Sequence, residues 1–236
     1  MSFHGHHNNK LLARLSDRDR SELADRMQEV HLDNRQEIYA ADQSINEVYF
    51  PITLVGSTVL NSNRSVALEV ATTGNEGLIG FPAVLGVDRP VGRTVVQVDG
   101  TALRMSVTDL KLELKQRPHL SILLHLYIYA LMRQIIQSGA CNQFHPILPR
   151  CSRWLLQMHD RAGRETFRLT QQSLAEMMGV RRATVNPVLG HLKRQGLIDY
   201  VRGRMRIIDR VGLEKTACSC YLIIRNEYER LNHSGN

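Results

Sequence analysis

No cysteine occurs among the first 140 residues of this 236-residue chain, and tryptophan occurs once. The four cysteines are Cys141, Cys151, Cys218 and Cys220. None forms a CxxC pair, and the CxC of Cys218 and Cys220 lacks the usual zinc-site spacing. The expectation is free thiols in a reducing compartment, with no metal site. Long apolar runs are also missing. The polar start, MSFHGHHNNK, has no apolar core segment, so no signal peptide is expected. The most apolar stretch, LSILLHLYIYALM, is short and interrupted for a membrane span. A cytoplasmic protein without membrane contact follows. There is no P-loop, no nucleophile elbow, and no His-x-His with a distant Glu or His among the strand-like segments. These gaps argue against an enzyme. Internal repeats are absent too. His4, His6 and His7 could hold a divalent metal, but they read more simply as a polar tail.

What is present is a basic, packable chain. Hydrophobic residues make up 43%, and Lys plus Arg number 30 against 23 Asp plus Glu, for a net charge of +7. That balance favours a polyanionic partner, nucleic acid before membrane.

Local patterns divide the chain. Ser16 caps a short amphipathic helix with Leu15, Leu23 and Met27 on one face. From Val30 to Met105, short runs such as EVYFPITL, SVALEVAT and RTVVQV are separated by Gly, Asn, Asp and Pro. Val66, Leu68 and Val70 alternate with other residues, and no helical period persists, as in an all-β sandwich or roll. Ser106 and Asp109 form a capping pair for a short helix. Pro118 then opens the longest helical pattern, with Leu120, Leu124, Tyr127, Ile128, Leu131 and Ile135 at three- and four-residue steps. Its apolar band is wide for one core. Either it touches its own subunit and a partner copy, or it is wholly buried within one subunit. The two prolines of HPILPR, His145 to Arg150, read as a hinge and domain boundary.

Beyond the hinge, CSRWLLQMHDRA is a helix closed by Gly163. QQSLAEMM is a second, with Thr170 as N-cap and Gly179 as C-cap. A third follows from GVRRATVNPVLGHLKRQ, and the helical part ends in a hairpin, LIDYVRGRMRIID, turning at Gly203. Two helices joined by a tight turn, the second one basic, is the helix-turn-helix pattern. Leu174, Ala175 and Met178 face inward from the first helix. Val180 plugs the turn, and Val185, Val188, Leu189 and Leu192 face inward from the second. Arg181, Arg182, Thr184, Asn186, His191, Lys193 and Arg194 are left outside, joined by Arg202, Arg204 and Arg206 from the hairpin. Between Arg181 and Arg206 seven positions are Lys or Arg and one, Asp199, is acidic. A solvated face mixes signs; this bias is a phosphate-binding footprint.

The stretch LTQQSLAEMMGVRRATVNPVLGHLKRQGLI followed by RGRMRIID, with a β-rich half and a long helix upstream, resembles the Crp/Fnr bacterial transcription regulators. The resemblance spans about Leu11 to Tyr221 and is most specific in the C-terminal third. It implies an α+β fold: a cyclic-nucleotide-binding-like β-roll at 1–117, a dimerisation helix at 118–144, and a winged helix-turn-helix at 145–236. It also implies a sequence-specific regulator that acts as a homodimer on inverted-repeat double-stranded DNA, with RNA polymerase a further candidate partner.

The family's recognition helix often opens S-R-E-T-V-x-R. Here those places hold Arg181 through Pro187, and only Arg182 keeps a base-reading type. Ala183 accepts no hydrogen bond from cytosine and Pro187 donates none, so an unusual operator is expected, with Arg182 on a base and Arg181 on a base or phosphate. If the helix starts at Arg182, Pro187 removes a bond to the Ala183 carbonyl and should bend it. If Thr184 is the N-cap, Pro187 falls harmlessly in the first turn. The core positions favour the first start.

Family members with a cyclic-nucleotide pocket pair a G-E-x-G/S turn with a later R-S/T. Glu76 and Arg93–Thr94 match in outline, and are the candidate effector residues. But their separation is long, Pro82 and Pro90 interrupt it, and VYFPITLVGSTV replaces the usual V-K-G turn. A different ligand, or none, is favoured over a cyclic nucleotide. The family's iron–sulfur branch needs N-terminal cysteines, which are lacking. For haem, no spacing singles out His31, His119 or His125. The competing readings are a cupin-like metal enzyme in the β half, or a protein-interaction module using the winged helix.

Overall fold

The computed structural model describes residues 9–41, 43–61 and 67–233. His4, His6, His7 and Val66 lie outside the described residues. After a short 3-10 turn at Leu12–Arg14, helix α1 (Asp17–Ala24) leads into seven strands: β1 (Gln28–Leu32), β2 (Glu37–Tyr39), β3 (Glu47–Pro51), β4 (Val55–Asn61), β5 (Ala67–Thr73), β6 (Arg93–Val98) and β7 (Gly100–Ser106). They form two antiparallel sheets, β1-β7-β3 and β2-β6-β4-β5. A 3-10 helix at Phe81–Leu85 interrupts the β half where no helical period was expected. Helix α2 (Val107–Gln116) begins at Ser106, whose Oγ accepts from Asp109 N at 2.9 Å and donates to Asp109 Oδ2 at 2.6 Å. Helix α3 (Pro118–Phe144) follows after one residue.

The expected hinge at His145–Arg150 is narrower than the two prolines suggest. Helix α4 (Ile147–Ala162) begins directly after Pro146, its N-cap, and contains Pro149. A proline in a first helical turn loses no hydrogen bond, because N–H groups there have no partner inside the helix. The break is therefore His145–Pro146 alone. Gly163 closes α4 with φ +61°, and strand β8 (Thr166–Arg168) follows. Helix α5 (Gln171–Met178), helix α6 (Arg182–Arg194), and strands β9 (Ile198–Val201) and β10 (Arg204–Ile207) complete the helix-turn-helix and its wing. β8 adds a third strand to the wing sheet in the order β8-β10-β9.

The chain does not finish at that hairpin, as the sequence pattern suggested. Helix α7 (Arg210–Thr216) starts at Asp209, whose carboxylate accepts from Gly212 N at 2.9 Å. Helix α8 (Cys220–His233) then runs back along α3.

Among the described residues two large hydrophobic cores result, beside a small cluster of Cys141, Cys218 and Cys220. The first joins the roll (Phe50, Leu54, Leu103) to α3 (Leu124, Tyr127, Leu131), and Ile224, Tyr228 and Leu231 of α8 seal it. The second joins Trp154, Leu155, Leu174, Leu189 and Leu192 of the helical half to Val55, Val59 and Val95 of the four-stranded sheet. Side chains alternate across a strand, so Val96 enters the first core while its neighbour Val95 enters the second. Both faces of this sheet are buried, which accounts for runs such as RTVVQV.

By length and composition α3 does reach the range of a membrane span, contrary to the expectation drawn from its interrupted run. Its inward residues are covered by the roll, α2 and α8. The residues left exposed form a stripe: Ile122, Tyr129, Met132 and Ile136.

Polar bonds tie the halves together. Glu76, just after β5, pairs with Arg161 of α4 at 2.7 Å, with both side chains below 10% exposure. Arg161 Nη2 donates to Gln134 Oε1 of α3 at 2.6 Å, and Tyr228 of α8 donates to the same oxygen at 2.9 Å. Gln134 Nε2 in turn donates to the Thr72 carbonyl at 3.1 Å.

Candidate nucleic-acid interface

The helix-turn-helix is built by local chemistry. Thr170 Oγ1 accepts from Ser173 N at 3.0 Å and starts α5. Gly179 ends it in the left-handed region at φ +65°, and Val180 N donates back to Ala175 O at 3.0 Å, as in a Schellman turn. A side chain at Gly179 would also meet Leu68 of β5 at 2.9 Å. Val180 is half-buried against the second core, and α6 turns away from α5 with Val185, Val188, Leu189 and Leu192 buried.

Helix α6 starts at Arg182, with Arg181 as its extended N-cap. Thr184 N donates to Arg181 O at 2.9 Å, so Thr184 lies within the first turn and is not the cap. Pro187 therefore sits inside the helix, which runs on through it to Arg194. The Ala183 carbonyl loses the donor that any other residue at 187 would supply.

All ten side chains singled out by pattern are exposed: Arg181, Arg182, Thr184, Asn186, His191, Lys193 and Arg194 on or at α6, and Arg202, Arg204 and Arg206 on the wing. The wing turn places Arg202 at φ +48° and Gly203 at φ +74°, the two positive angles of a tight hairpin turn, so Arg202 stands at its tip. Lys193 Nζ lies 2.9 Å from Asp199 Oδ1, joining α6 to the wing and holding the Asp199 carboxyl below the usual carboxylate range. Arg206 pairs with Glu165 at 3.1 Å.

One contributor had no sequence signal. Gln171, at the start of α5, accepts from Arg182 Nε at 3.2 Å and donates to Asn186 Oδ1 at 3.0 Å. This bridge leaves the terminal nitrogens of Arg182 outside the Gln171 contact. The roll also reaches this region, since Arg35 Nη2 donates to Thr170 Oγ1 and Ser173 Oγ, each at 3.2 Å.

The three effector candidates do not converge. Glu76 is engaged with Arg161 and with Gly74 N. Arg93 stands at the half-exposed edge of β6, 3.8 Å from Glu37. Thr94 alone faces the roll interior, where Tyr39, Ile79, Phe81 and Pro82 leave a cavity of about 20 Å³. That is room for a water molecule, whereas small-molecule sites run from about 300 Å³ upward. Glu76 instead borders a cleft of about 320 Å³ between α4 and α8, with Asp160, Arg210 and Tyr221 among its lining.

The four cysteines are free thiols, as expected. Spacing along the chain hid a grouping that folding creates: Cys141 and His145 meet Cys218 and Cys220 where α3 and α8 adjoin. Cys151 is buried elsewhere, in the second core.

A β-roll, a long helix and an exposed basic helix-turn-helix with a wing define the architecture. Residues 149–216 match the Crp-like helix-turn-helix domain. Known structures share the wider fold. FixK2 from Bradyrhizobium japonicum aligns with a TM-score of 0.63 at 15% identity, covering 81% of this chain and 98% of its own. The c-di-GMP-responsive global regulator CLP of Xanthomonas campestris aligns with a TM-score of 0.65 at 14% identity, covering 81% and 99%. A CRP-family transcriptional regulator from Thermus thermophilus aligns with a TM-score of 0.62 at 19% identity, covering 80% and 96%. No curated protein sequence matches the chain. The chain thus carries a Crp-like helix-turn-helix domain at 149–216, and its wider fold is similar to that of these regulators.

Proposed function

We propose that the protein is a cytoplasmic homodimer that binds an inverted-repeat operator through α6 and has no enzymatic activity of its own. The observation carrying this reading is the exposed seven-to-one basic surface of α6 and the wing, set on a buried helix-turn-helix scaffold. Arg182, steadied at Nε by Gln171, reads a base, and Arg181 a base or phosphate. Thr184 and Asn186 line the same helix start. His191, Lys193, Arg194, Arg202, Arg204 and Arg206 hold the backbone. Arg can fork onto guanine O6 and N7, while Lys and wing arginines suit phosphates.

Dimerisation uses α3. Ile122, Tyr129 and Ile136 recur every seven residues on its exposed side, the repeat of a helix seam. Pairing there would set two α6 helices about 34 Å apart, in successive major grooves. A regulator of this type also has RNA polymerase as a candidate partner.

Control by a ligand inside the roll would require its filled interior to open, so a cyclic nucleotide is not the effector we favour. Any effector must bind the active arrangement more tightly than the inactive one.

Selection of bound sequences from a random DNA pool would give the operator. On that operator Arg182→Ala should cost about 1–3 kcal/mol per half-site and relax specificity, while Lys193→Ala or Arg204→Ala should weaken operator and random DNA about equally. Wild-type operator binding by all three variants would remove α6 and the wing as the interface.

A further inference from the structure

Four potential metal ligands converge where the long helix ends. Cys141 stands in the last turns of α3, His145 is its C-cap, Cys218 precedes α8 and Cys220 opens it. Their sulfur and ring-nitrogen atoms all lie within 4.8 Å of one another. Cys141 Sγ is 3.5 Å from Cys218 Sγ, and Cys220 Sγ is 3.5 Å from His145 Nδ1.

These separations are informative. The thiols are not a disulfide, whose sulfurs stand about 2.05 Å apart. A tetrahedral ion with bonds of about 2.3 Å to sulfur and about 2.0 Å to nitrogen spaces its ligands roughly 3.5–3.8 Å apart. A four-iron cluster, with each ligand on a different iron, needs a wider ring of ligands than this one. Three sulfurs and one imidazole suit zinc, a borderline-soft ion with no geometric demand of its own.

The surroundings fit the same ion. Cys141 and Cys220 are fully buried, and Cys218 is 9% exposed. Gln137 Nε2 donates to Cys220 Sγ at 3.0 Å, the kind of outer hydrogen bond that orients a metal-bound thiolate. Zinc with three thiolates carries a net negative charge, and the buried guanidinium groups of Arg150 and Arg153 stand on neighbouring α4 to offset it.

We propose that Cys141, His145, Cys218 and Cys220 bind one zinc ion that clasps the two ends of the DNA-binding segment. The segment matched as Crp-like helix-turn-helix runs from 149 to 216. Two ligands lie just before it and two just after. Cys218 N also donates to the Pro149 carbonyl, so the ends already touch. The ion binds the exit from α3 to the entry of α8, across the His145–Pro146 break.

The test is titration of the reduced, metal-stripped full chain with cobalt(II), followed by displacement with zinc. The expected result is saturation at about one equivalent, with tetrahedral d–d absorption and a thiolate-to-cobalt charge-transfer band, both abolished by zinc. Cys218→Ser and Cys141→Ser should lose the charge-transfer band or lower cobalt affinity at least tenfold. Cys151→Ser should retain both. A variant lacking His4, His6 and His7 should bind as wild type, which separates this site from the tail. Absence of a charge-transfer band in wild type would overturn the proposal. So would loss of binding with the histidine tail, equal loss in Cys151→Ser, or recovery of Cys141 and Cys218 as a disulfide that binds no metal.

Discussion

Replacing Arg161 by Met probes the joint between roll, long helix and DNA-binding half. The substitution preserves much of the side-chain length but removes the 2.7 Å ion pair to Glu76 and the 2.6 Å bond to Gln134. It also removes a guanidinium 5.8 Å from the Tyr228 ring centroid. Glu76 keeps only the Gly74 N–H bonds, each at 3.2 Å, while remaining below 10% exposed. Stranding a buried charge in this way costs about 3–5 kcal/mol. For a chain of this size that lowers Tm by roughly 10 °C.

The cost should belong to the stranded charge rather than to lost attraction. Glu76→Gln combined with Arg161→Met removes both charges, so the double variant should be more stable than Arg161→Met alone, by at least about 1 kcal/mol. Urea unfolding, followed by circular dichroism and by fluorescence of the single, buried Trp154, measures all four corners of the cycle. Strict additivity of the two substitutions, or a cost below about 1 kcal/mol for Arg161→Met at unchanged m-value, would refute the reasoning.

Three further outcomes are expected. Ile136→Glu places a charge in the proposed seam, 63% exposed in one subunit, and should shift sedimentation toward monomer while leaving the unfolding midpoint measured on that monomer unchanged; a variant that stays dimeric would move the seam off α3. Pro187→Ala restores a donor to the Ala183 carbonyl and should stabilise by on the order of 1 kcal/mol, a gain trimmed by the looser unfolded chain, with no change in Tm counting against the missing bond. Cyclic nucleotides should leave Tm unmoved, because the cavity beside Thr94 is about 20 Å³, and a rise that saturates with ligand would show that it opens.

Much of the helical half was readable because its signals are local. Thr170, Gly179 and Ser106 act within three or four residues, and the 3.6-residue pattern of Val185, Val188, Leu189 and Leu192 needs no partner to be seen. Strand β8 was not readable, since three residues carry no period and gain strand character only by pairing with β10. The surroundings of Glu76, Arg93 and Thr94 were hidden for a related reason: they match a pattern in sequence, but distant residues set what each one meets, Arg161 at Glu76 and Tyr39 and Phe81 around the cavity beside Thr94. Gln171 gave no hint of its bridge to Arg182 and Asn186, which depends on how α5 and α6 cross. The cysteines were judged by spacing within one segment, whereas Cys141 and Cys218 meet across 77 positions. The four-residue step from Cys141 to His145, one helical turn, was the available signal.

Helix α8 has a consequence for how the protein is made. Gln134 and Tyr228, joined in the buried network, are 94 residues apart. A ribosome adding about 5–20 residues per second therefore leaves the roll and α3 without their seal for roughly 5–20 s. Throughout that interval the nascent chain presents apolar α3 surface with nothing to cover it. Chaperone dependence during synthesis should accordingly exceed that of a variant whose α3 carries polar residues where Ile224 and Leu231 would dock.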